Sequence, residues 1–257
     1  MRVNWGIIGA GNIAHRFSKA LSYQKDSSLI AISGRSRERL TAFAKEFSVK
    51  RVYMSHEELL EDPQIDAVYV ALPHDLHAVW TVRALRAQKA VLVEKPAALN
   101  ASEVKEICTA ASENRILFME AQKARFTPLY RELKRRVEEG SCGKLIRVET
   151  SLCNEVPAAQ LRAAGSYLYD PAAGGALLDC GTYCASLLED FCGGGPRVIR
   201  QESRYQYGVD HYIRSELAFG GRRLCWRQPW TGQNQRRPGL YWREQRSWWR
   251  ICTAPRG

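Results

Sequence analysis

The chain has 257 residues, 45% of them hydrophobic and 25% charged, with a formal net charge of +11; this length suits one large or two modest domains. No apolar run approaches the roughly 20 residues needed to cross a bilayer, and the opening MRVNWGIIGAG enters a strand at once, which leaves no room for a secretory signal and points to a cytoplasmic protein without membrane contact. Residues 220–257 hold nine Arg, one Glu and no Lys, a net of +8 that leaves only +3 for the first 219 residues, so the globular part carries no nucleic-acid footprint.

In chain order, strands are expected at 2–8, 28–34, near 51–53, 66–72, 90–94 and 116–120, and helices at 13–23, 36–47, 55–61, 76–87 and 101–114. Apolar strands separated by single helices predict an α/β domain with a doubly wound parallel sheet, whose ligands bind at the carboxyl ends of the strands. After residue 122 the pattern changes to a helix at 127–139 stopped by Gly140, a strand at 144–152, a polar loop, a helix at 176–191 and strands at 197–207 and 210–219, which predicts a second, α+β domain. From Gly220 onward neither period is sustained, and five of the seven Trp fall between 226 and 249. The divisions are therefore 1–122, 123–219 and an Arg/Trp-rich tail at 220–257.

The first strand runs into Gly9-Ala10-Gly11-Asn12-Ile13-Ala14, which fits G-x-G-x-x-G/A. Gly9 permits the tight turn, Gly11 lets backbone approach a pyrophosphate, and Ala14 lets the helix that carries Ile13, Phe17 and Leu21 lie close on the strand. The amides opening that helix at Asn12 and Ile13 then face the phosphates with a partial positive charge.

Four further strand and helix ends carry candidate chemistry. The second strand ends in Gly34-Arg35-Ser36, where an Asp or Glu would select the free ribose hydroxyl of NAD; Arg35 with Ser36 instead favours the 2′-phosphate of NADP, against a solvated Arg that opens a helix. The fourth ends in Leu72-Pro73-His74-Asp75-Leu76-His77, with Pro73 fixing the turn, Asp75 placed to cap the next helix, and the two His open between ligand contacts and packing. The fifth ends in Glu94-Lys95-Pro96; in isolation an exposed loop, in this register a Lys able to bind a substrate hydroxyl and stabilise the alkoxide that develops as hydride leaves. In GGALLDCGTYC, Asp179 and Tyr183 are i and i+4 on one helix face; Tyr183 reads either as a packed aromatic or as a proton donor and acceptor. Among eight cysteines there is no C-x-x-C pair, and Cys180, Cys184 and Cys192 read as small packed hydrophobes, with no metal site expected.

Taken together, GIIGAGNIA, SGRS, IDAVYVALPHDLH, VEKPAAL, FMEAQKARFTP and GGALLDCGTY resemble the Gfo/Idh/MocA oxidoreductases, and FMEA with RFTP and Tyr183 resemble their dihydrodiol and xylose dehydrogenase branch. The resemblance covers residues 1 to about 219. It implies a Rossmann domain for NADP or NAD, bound by Gly9, Gly11, Asn12, Ile13, Ala14, Arg35, Ser36, Leu72, Pro73, His77, Glu94 and Lys95. It further implies a second domain with an open, mostly antiparallel sheet that mediates a homodimer, and oxidation of a carbinol on a sugar, polyol or cyclic diol. By motif position Lys95 is the catalytic lysine, Asp179 the acid that orients substrate and Tyr183 the acid/base. A nucleotide-binding protein without catalysis, a sensor or a decayed enzyme, is the competing reading.

The tail departs from the family pattern. Possible codons for residues 239–255 read two bases out of register as LILAGTAVLVEDLHRP, which resembles strand sequence, so a frameshifted C-terminus and an incomplete second sheet with an exposed edge are expected. A patch of Arg and aromatics for RNA or a membrane surface is the alternative for the same residues.

Overall fold

A strand such as 66–72, reading DAVYVAL, has no polar face to give to water, so it must be covered on both sides. The structure, a computed structural model describing residues 2–143, 145–152, 166–193, 195–219, 222–229, 242–244 and 247–253, covers it in that way. The chain forms two units, Met1–Ala121 and Gln122–Gly257.

In the first unit β1 (Val3–Ile8), β2 (Ser27–Ser33), β3 (Arg51–Tyr53), β4 (Ala67–Val70), β5 (Ala90–Val93) and β6 (Phe118–Glu120) alternate with α1 (Asn12–Leu21), α2 (Arg37–Phe47), α3 (His56–Glu61), α4 (His74–Arg86) and α5 (Ala101–Asn114). Every neighbouring pair is parallel, in the order β3-β2-β1-β4-β5-β6, the doubly wound order whose strand sequence reverses beside β1. Alternate residues feed the two faces. Ile8, Val68, Val70, Val91 and Val93 enter one cluster with Leu59, Val82, Leu85 and Ile107 from the helices; Ile7, Ile32 and Tyr69 enter the other with Ala14, Leu40 and Phe43.

One expected boundary differs. Helix α4 starts at His74 with Pro73 in the capping position, so Asp75 lies in the first turn instead of capping the helix. Proline fixes the backbone angle at the helix entry, and the helix has no side-chain cap there.

In the second unit α6 (Pro128–Glu138) is followed by β7 (Leu145–Leu152), a π-turn at Leu177–Gly181, α7 (Thr182–Cys192), β8 (Arg197–Gln206) and β9 (Val209–Phe219). Gly140, at φ +68, ends the last turn of α6 and donates to the Val137 carbonyl. Cys184, Leu187, Leu188 and Phe191 recur at helical spacing and pack on Val148, Ile213, Leu217 and Phe219 of the sheet, while Val209, Ile213, Ser215, Leu217 and Phe219 give β9 its buried side. Cys180 and Cys184 are buried in this packing.

The segment 220–257, read from the sequence as lacking strand periodicity, contributes β10 (Arg222–Pro229), β11 (Trp242–Glu244) and β12 (Ser247–Thr253). The sheet order is β11-β12-β7-β10-β9-β8, antiparallel except where β10 runs parallel to β7. Trp, Ile and Thr favour extended backbone, and ladder pairing with β7 and β9 requires no alternation of side chains. Within 239–255, residues outside 242–244 and 247–253 are not among those described, and the expected loop at 153–165 is likewise outside them.

A polar cluster ties α6 to α7. Asp190 accepts from the Tyr130 hydroxyl at 2.5 Å and the Lys134 ammonium at 3.0 Å, and Arg125, 3.3 Å away, also donates to Ser186. Burial pushes the Asp190 carboxyl up, but the hydrogen bonds from Tyr130 and Lys134 and the charges of Arg125 and Lys134 outweigh it and hold the group below the usual carboxylate range. Because Asp190 is only 14% exposed, Asp190→Ala is expected to destabilise the second unit by about 2 kcal/mol, read by denaturant unfolding near pH 7. The sign with pH follows: the contribution is complete above the unfolded carboxylate value and lost as pH falls through the lower folded one, so the variant and the parent converge in acid.

Candidate functional site in two parts

In the first unit the candidate residues gather at the carboxyl ends of β1, β2, β4 and β5. Gly9 sits at φ +102, and a Cβ there would stand 2.4 Å from the Ala71 carbonyl oxygen, so the turn requires glycine for conformation and for space. Gly11 is different. It occupies the cap position of α1 with extended backbone, and a Cβ there would meet, among the described residues, no atom beyond its own chain neighbours within 4 Å. The open space beside Gly11 suits a group from outside the chain. Helix α1 has no side-chain cap and no acid in its first turn, so the amides that open it, at Asn12, Ile13 and Ala14, keep their donors and positive end for an anion. Ala14 itself is fully buried against the sheet.

At the end of β2, Arg35 and Ser36 are exposed, and the Ser36 hydroxyl accepts from the Arg39 amide at 3.3 Å as the cap of α2. Arg35 directly precedes that cap, at the exposed end of the strand.

At β4 and β5 a backbone clamp holds the candidate lysine. His77 is 1% exposed; its Nδ1 lies 2.7 Å from the Pro96 carbonyl oxygen and its Nε2 2.7 Å from that of Leu72. A neutral imidazole has one N–H, so the ring donates to one of these carbonyls and packs against the other, between the turn after β4, with Leu72 and Pro73, and the turn after β5. The Tyr69 hydroxyl donates to Glu94 at 2.5 Å, the Lys95 amide donates to the other Glu94 oxygen at 3.3 Å, and the Ala97 amide donates to Glu120 at 2.8 Å. Lys95, half-buried and joined to Pro96 by a cis peptide, is thus carried on a turn fixed at Glu94, Pro96 and Ala97. Burial pushes the His77 ring below the ordinary histidine value, and Lys95 adds to this, while both carbonyls and Glu94 pull the other way.

The sequence reading had placed His77 and Glu94 among cofactor ligands; within this unit their polar atoms serve Leu72, Pro96, Tyr69 and the Lys95 amide. Tyr69 and Glu120 were not singled out, although the placement of Glu120 at the end of the sixth strand, in FMEA, was the available signal.

In the second unit Asp179 lies in the π-turn Leu177–Gly181 and Tyr183 in the first turn of α7, both half-buried. The two remain on one continuous helical stretch, as their spacing predicts. The wider turn was not legible, and such turns concentrate at functional sites.

An uncapped glycine turn at the reversal point of a parallel sheet, with a lysine fixed at the end of β5, defines a nucleotide-binding oxidoreductase of the Rossmann class. Residues 3–122 match the model of the Gfo/Idh/MocA oxidoreductase family, NAD-binding Rossmann fold, and residues 130–236 match its C-terminal domain. The chain belongs to the Gfo/Idh/MocA family, and it is a dehydrogenase or reductase that uses a nicotinamide cofactor. The C-terminal match runs past residue 219, where the sequence resemblance had been ended.

The chain is similar to trans-1,2-dihydrobenzene-1,2-diol dehydrogenase of Danio rerio, 36% identical over 232 residues, and to that of Xenopus tropicalis, 34% identical over 230 residues. The alignments cover 88% and 87% of this chain and 67% of each relative, so the chain spans about two thirds of their length. Among solved structures it is similar to KijD10, a 3-ketoreductase from Actinomadura kijaniata in complex with NADP and TDP-benzene, with a TM-score of 0.81 and 28% identity over 89% of this chain and 70% of that one. Levoglucosan dehydrogenase in complex with NADH shares the fold, with a TM-score of 0.82 and 21% identity over 90% of this chain and 67% of that one. Among the described residues no helix is long and apolar enough to cross a membrane.

The two glycines separate fold from ligand. Gly11→Ala is expected to leave the melting temperature within about 2 °C and weaken cofactor binding about tenfold, whereas Gly9→Ala lowers both stability and affinity; differential scanning fluorimetry and cofactor titration distinguish them.

The pH sign at His77 is also fixed. Its folded value lies below the unfolded one of about 6.5, so stability is complete above that pH and declines as pH falls toward the folded value. His77→Gln is expected to flatten the loss of stability between pH 7 and acid, in part only, because burial lowers His56 as well.

Proposed function

We propose that this protein is an NADP-preferring oxidoreductase that transfers hydride to or from the carbinol carbon of a sugar, polyol or cyclic diol. The observation that carries the reading is the clamp that fixes Lys95 at the carboxyl end of β5 in the same parallel sheet as the uncapped turn at Gly9–Ala14. The space beside Gly11 and the free helix amides fit a pyrophosphate, and Arg35 and Ser36 fit a ribose 2′-phosphate better than a free hydroxyl. Leu72 and Pro73 are placed to line the nicotinamide half. That cofactor, when bound, supplies hydride exchange at its C4.

The chain's residues do the rest. The Lys95 ammonium donates to the carbinol oxygen and stabilises the negative charge that builds there. Tyr183, as its phenolate, takes the hydroxyl proton in oxidation and, as the phenol, returns it in reduction, and Asp179 orients the remaining hydroxyls by accepting their hydrogen bonds. As the C–H pair departs as hydride and the O–H proton passes to Tyr183, a carbonyl forms, and the atoms and charges balance. Dihydrodiol dehydrogenase and ketoreductase relatives support a small hydroxylated or keto substrate. In keeping with the family, we assign the second sheet to a homodimer contact and the divisions 1–122, 123–219 and 220–257 to cofactor, substrate and tail.

A second reading, nucleotide binding without catalysis, rests on the Arg- and Trp-rich composition of the residues after 236, beyond the family match. Titration with NADP and NAD, followed by turnover on a panel of aldoses, polyols and trans-dihydrodiols, separates the two. Tight NADP binding without turnover, restored by a frame-corrected C-terminus, selects the second reading. With turnover in hand, Lys95→Ala and Tyr183→Phe are each expected to lower kcat by about 10²- to 10⁴-fold with cofactor affinity little changed. Arg35→Ala is expected to weaken NADP by about tenfold and leave NAD unchanged.

A further inference from the structure

The helix that carries Asp179 and Tyr183 begins abruptly. It follows Gly174 and Gly175, has Ala176 at its start, and has no capping side chain of its own. A helix start leaves several backbone amides without intrahelical partners, and a buried start needs them satisfied. Here the acceptor comes from far away in sequence. Asp210, near the beginning of β9, accepts from the Leu177 amide at 2.8 Å.

The carboxylate reaches the amide because Gly175 makes room. Gly175 sits at φ +94, and a Cβ there would stand 2.1 Å from the Asp210 Oδ1 atom. Gly174 is as constrained, since a Cβ there would lie 2.4 Å from the Leu168 carbonyl oxygen. Burial pushes the Asp210 carboxyl above its ordinary value, while the amides of Leu177, Asp210 and Ala176 and the neighbouring His211 pull it back toward the ionised form. The Leu177 amide is thus directed at a half-buried carboxylate. That carboxylate is an N-terminal cap supplied by another strand in place of the Ser, Thr, Asn or Asp that ordinarily precedes a helix.

We propose that Asp210 is a positioning residue for the reaction: it anchors the π-turn from β9 and so sets where Asp179 and Tyr183 stand on it. The role rests on the reading of Tyr183 and Asp179 as reacting groups. Asp210 itself touches neither substrate nor cofactor in this scheme. Gly175 is, on this view, the space that the anchor needs, while Gly174 makes room for the Leu168 carbonyl. Because the anchor comes from the sheet, movement of β9 is transmitted to the helix start and to the two side chains one and two turns beyond it.

The test uses the full chain and two independent readouts. Amide hydrogen exchange across 176–183 is expected to rise by about tenfold or more in Asp210→Ala and to stay within about threefold of the parent in Asp210→Asn, which retains one acceptor oxygen. Turnover on the best substrate of the panel is expected to fall about tenfold in kcat in Asp210→Ala with the KM for NADP unchanged, and to be largely rescued in Asp210→Asn. Gly175→Ala, which displaces the carboxylate without removing it, is expected to match Asp210→Ala, and the double variant is expected to show less than the sum of the two.

Exchange in Asp210→Ala equal to the parent, or a parental kcat in a variant whose helix start exchanges freely, overturns the proposal. A parental rate in Tyr183→Phe overturns the catalytic reading instead, and the exchange result then decides the anchor by itself. Should Asp210→Ala not fold, Asp210→Asn and Gly175→Ala carry the same comparison.

Discussion

A buried imidazole between two backbone carbonyls is the constraint on which the first unit's chemistry depends. His77 spans the carbonyls of Leu72 and Pro96 at 2.7 Å each, and the turns it joins end neighbouring parallel strands, β4 and β5. Strand ends of a parallel sheet diverge into separate crossovers, and nothing in the ladder itself sets the spacing of the loops beyond it. The ring supplies that spacing. Its ordinary hydration is replaced by two fixed dipoles, and the lysine turn is then held on its other sides by Glu94 and Glu120. A flexible lysine carried on such a turn has its backbone ordered before any ligand arrives, which is what preorganisation requires of a group meant to meet developing charge.

Much of this architecture was legible in the residues, and the reasons are specific. The parallel sheet announced itself because runs such as VYVAL leave no face for water, and the glycine turn because G-x-G-x-x-A follows the first strand directly; a Cβ at Gly9 would stand 2.4 Å from the Ala71 carbonyl oxygen. The helix face of α7 followed from the spacing of Cys184, Leu187, Leu188 and Phe191. What could not be read depends on partners distant in sequence. His77 meets Pro96 across 19 residues of sequence, and Tyr69 meets Glu94 across 25. The start of α4 was misplaced by two residues because Asp75 is a good cap by type, whereas Pro73 takes the position by geometry.

The tail shows the same limit from the other side. Periodicity reports which faces are buried, and the segment after 219 has none to report, yet β10 and β12 flank β7 through backbone pairing. Pairing is blind to side-chain order. The π-turn at Leu177–Gly181 is equally silent in the sequence, and the carboxylate that meets its first amide comes from Asp210, 33 residues away. Local rules therefore locate the elements, and the long-range polar contacts decide their ends.

The arrangement of the second sheet has a consequence for the order of assembly. β7 lies between β10 and β12, and Glu149 is paired with Cys225 on one side and Arg250 on the other. A ribosome releases β7 long before either neighbour exists, whereas the first unit has every strand it needs once Glu120 has emerged. The nascent chain thus completes a nucleotide-binding lobe early and carries an unflanked strand behind it until residues 222–253 have emerged, the interval in which a chaperone or a misplaced partner has access to that edge.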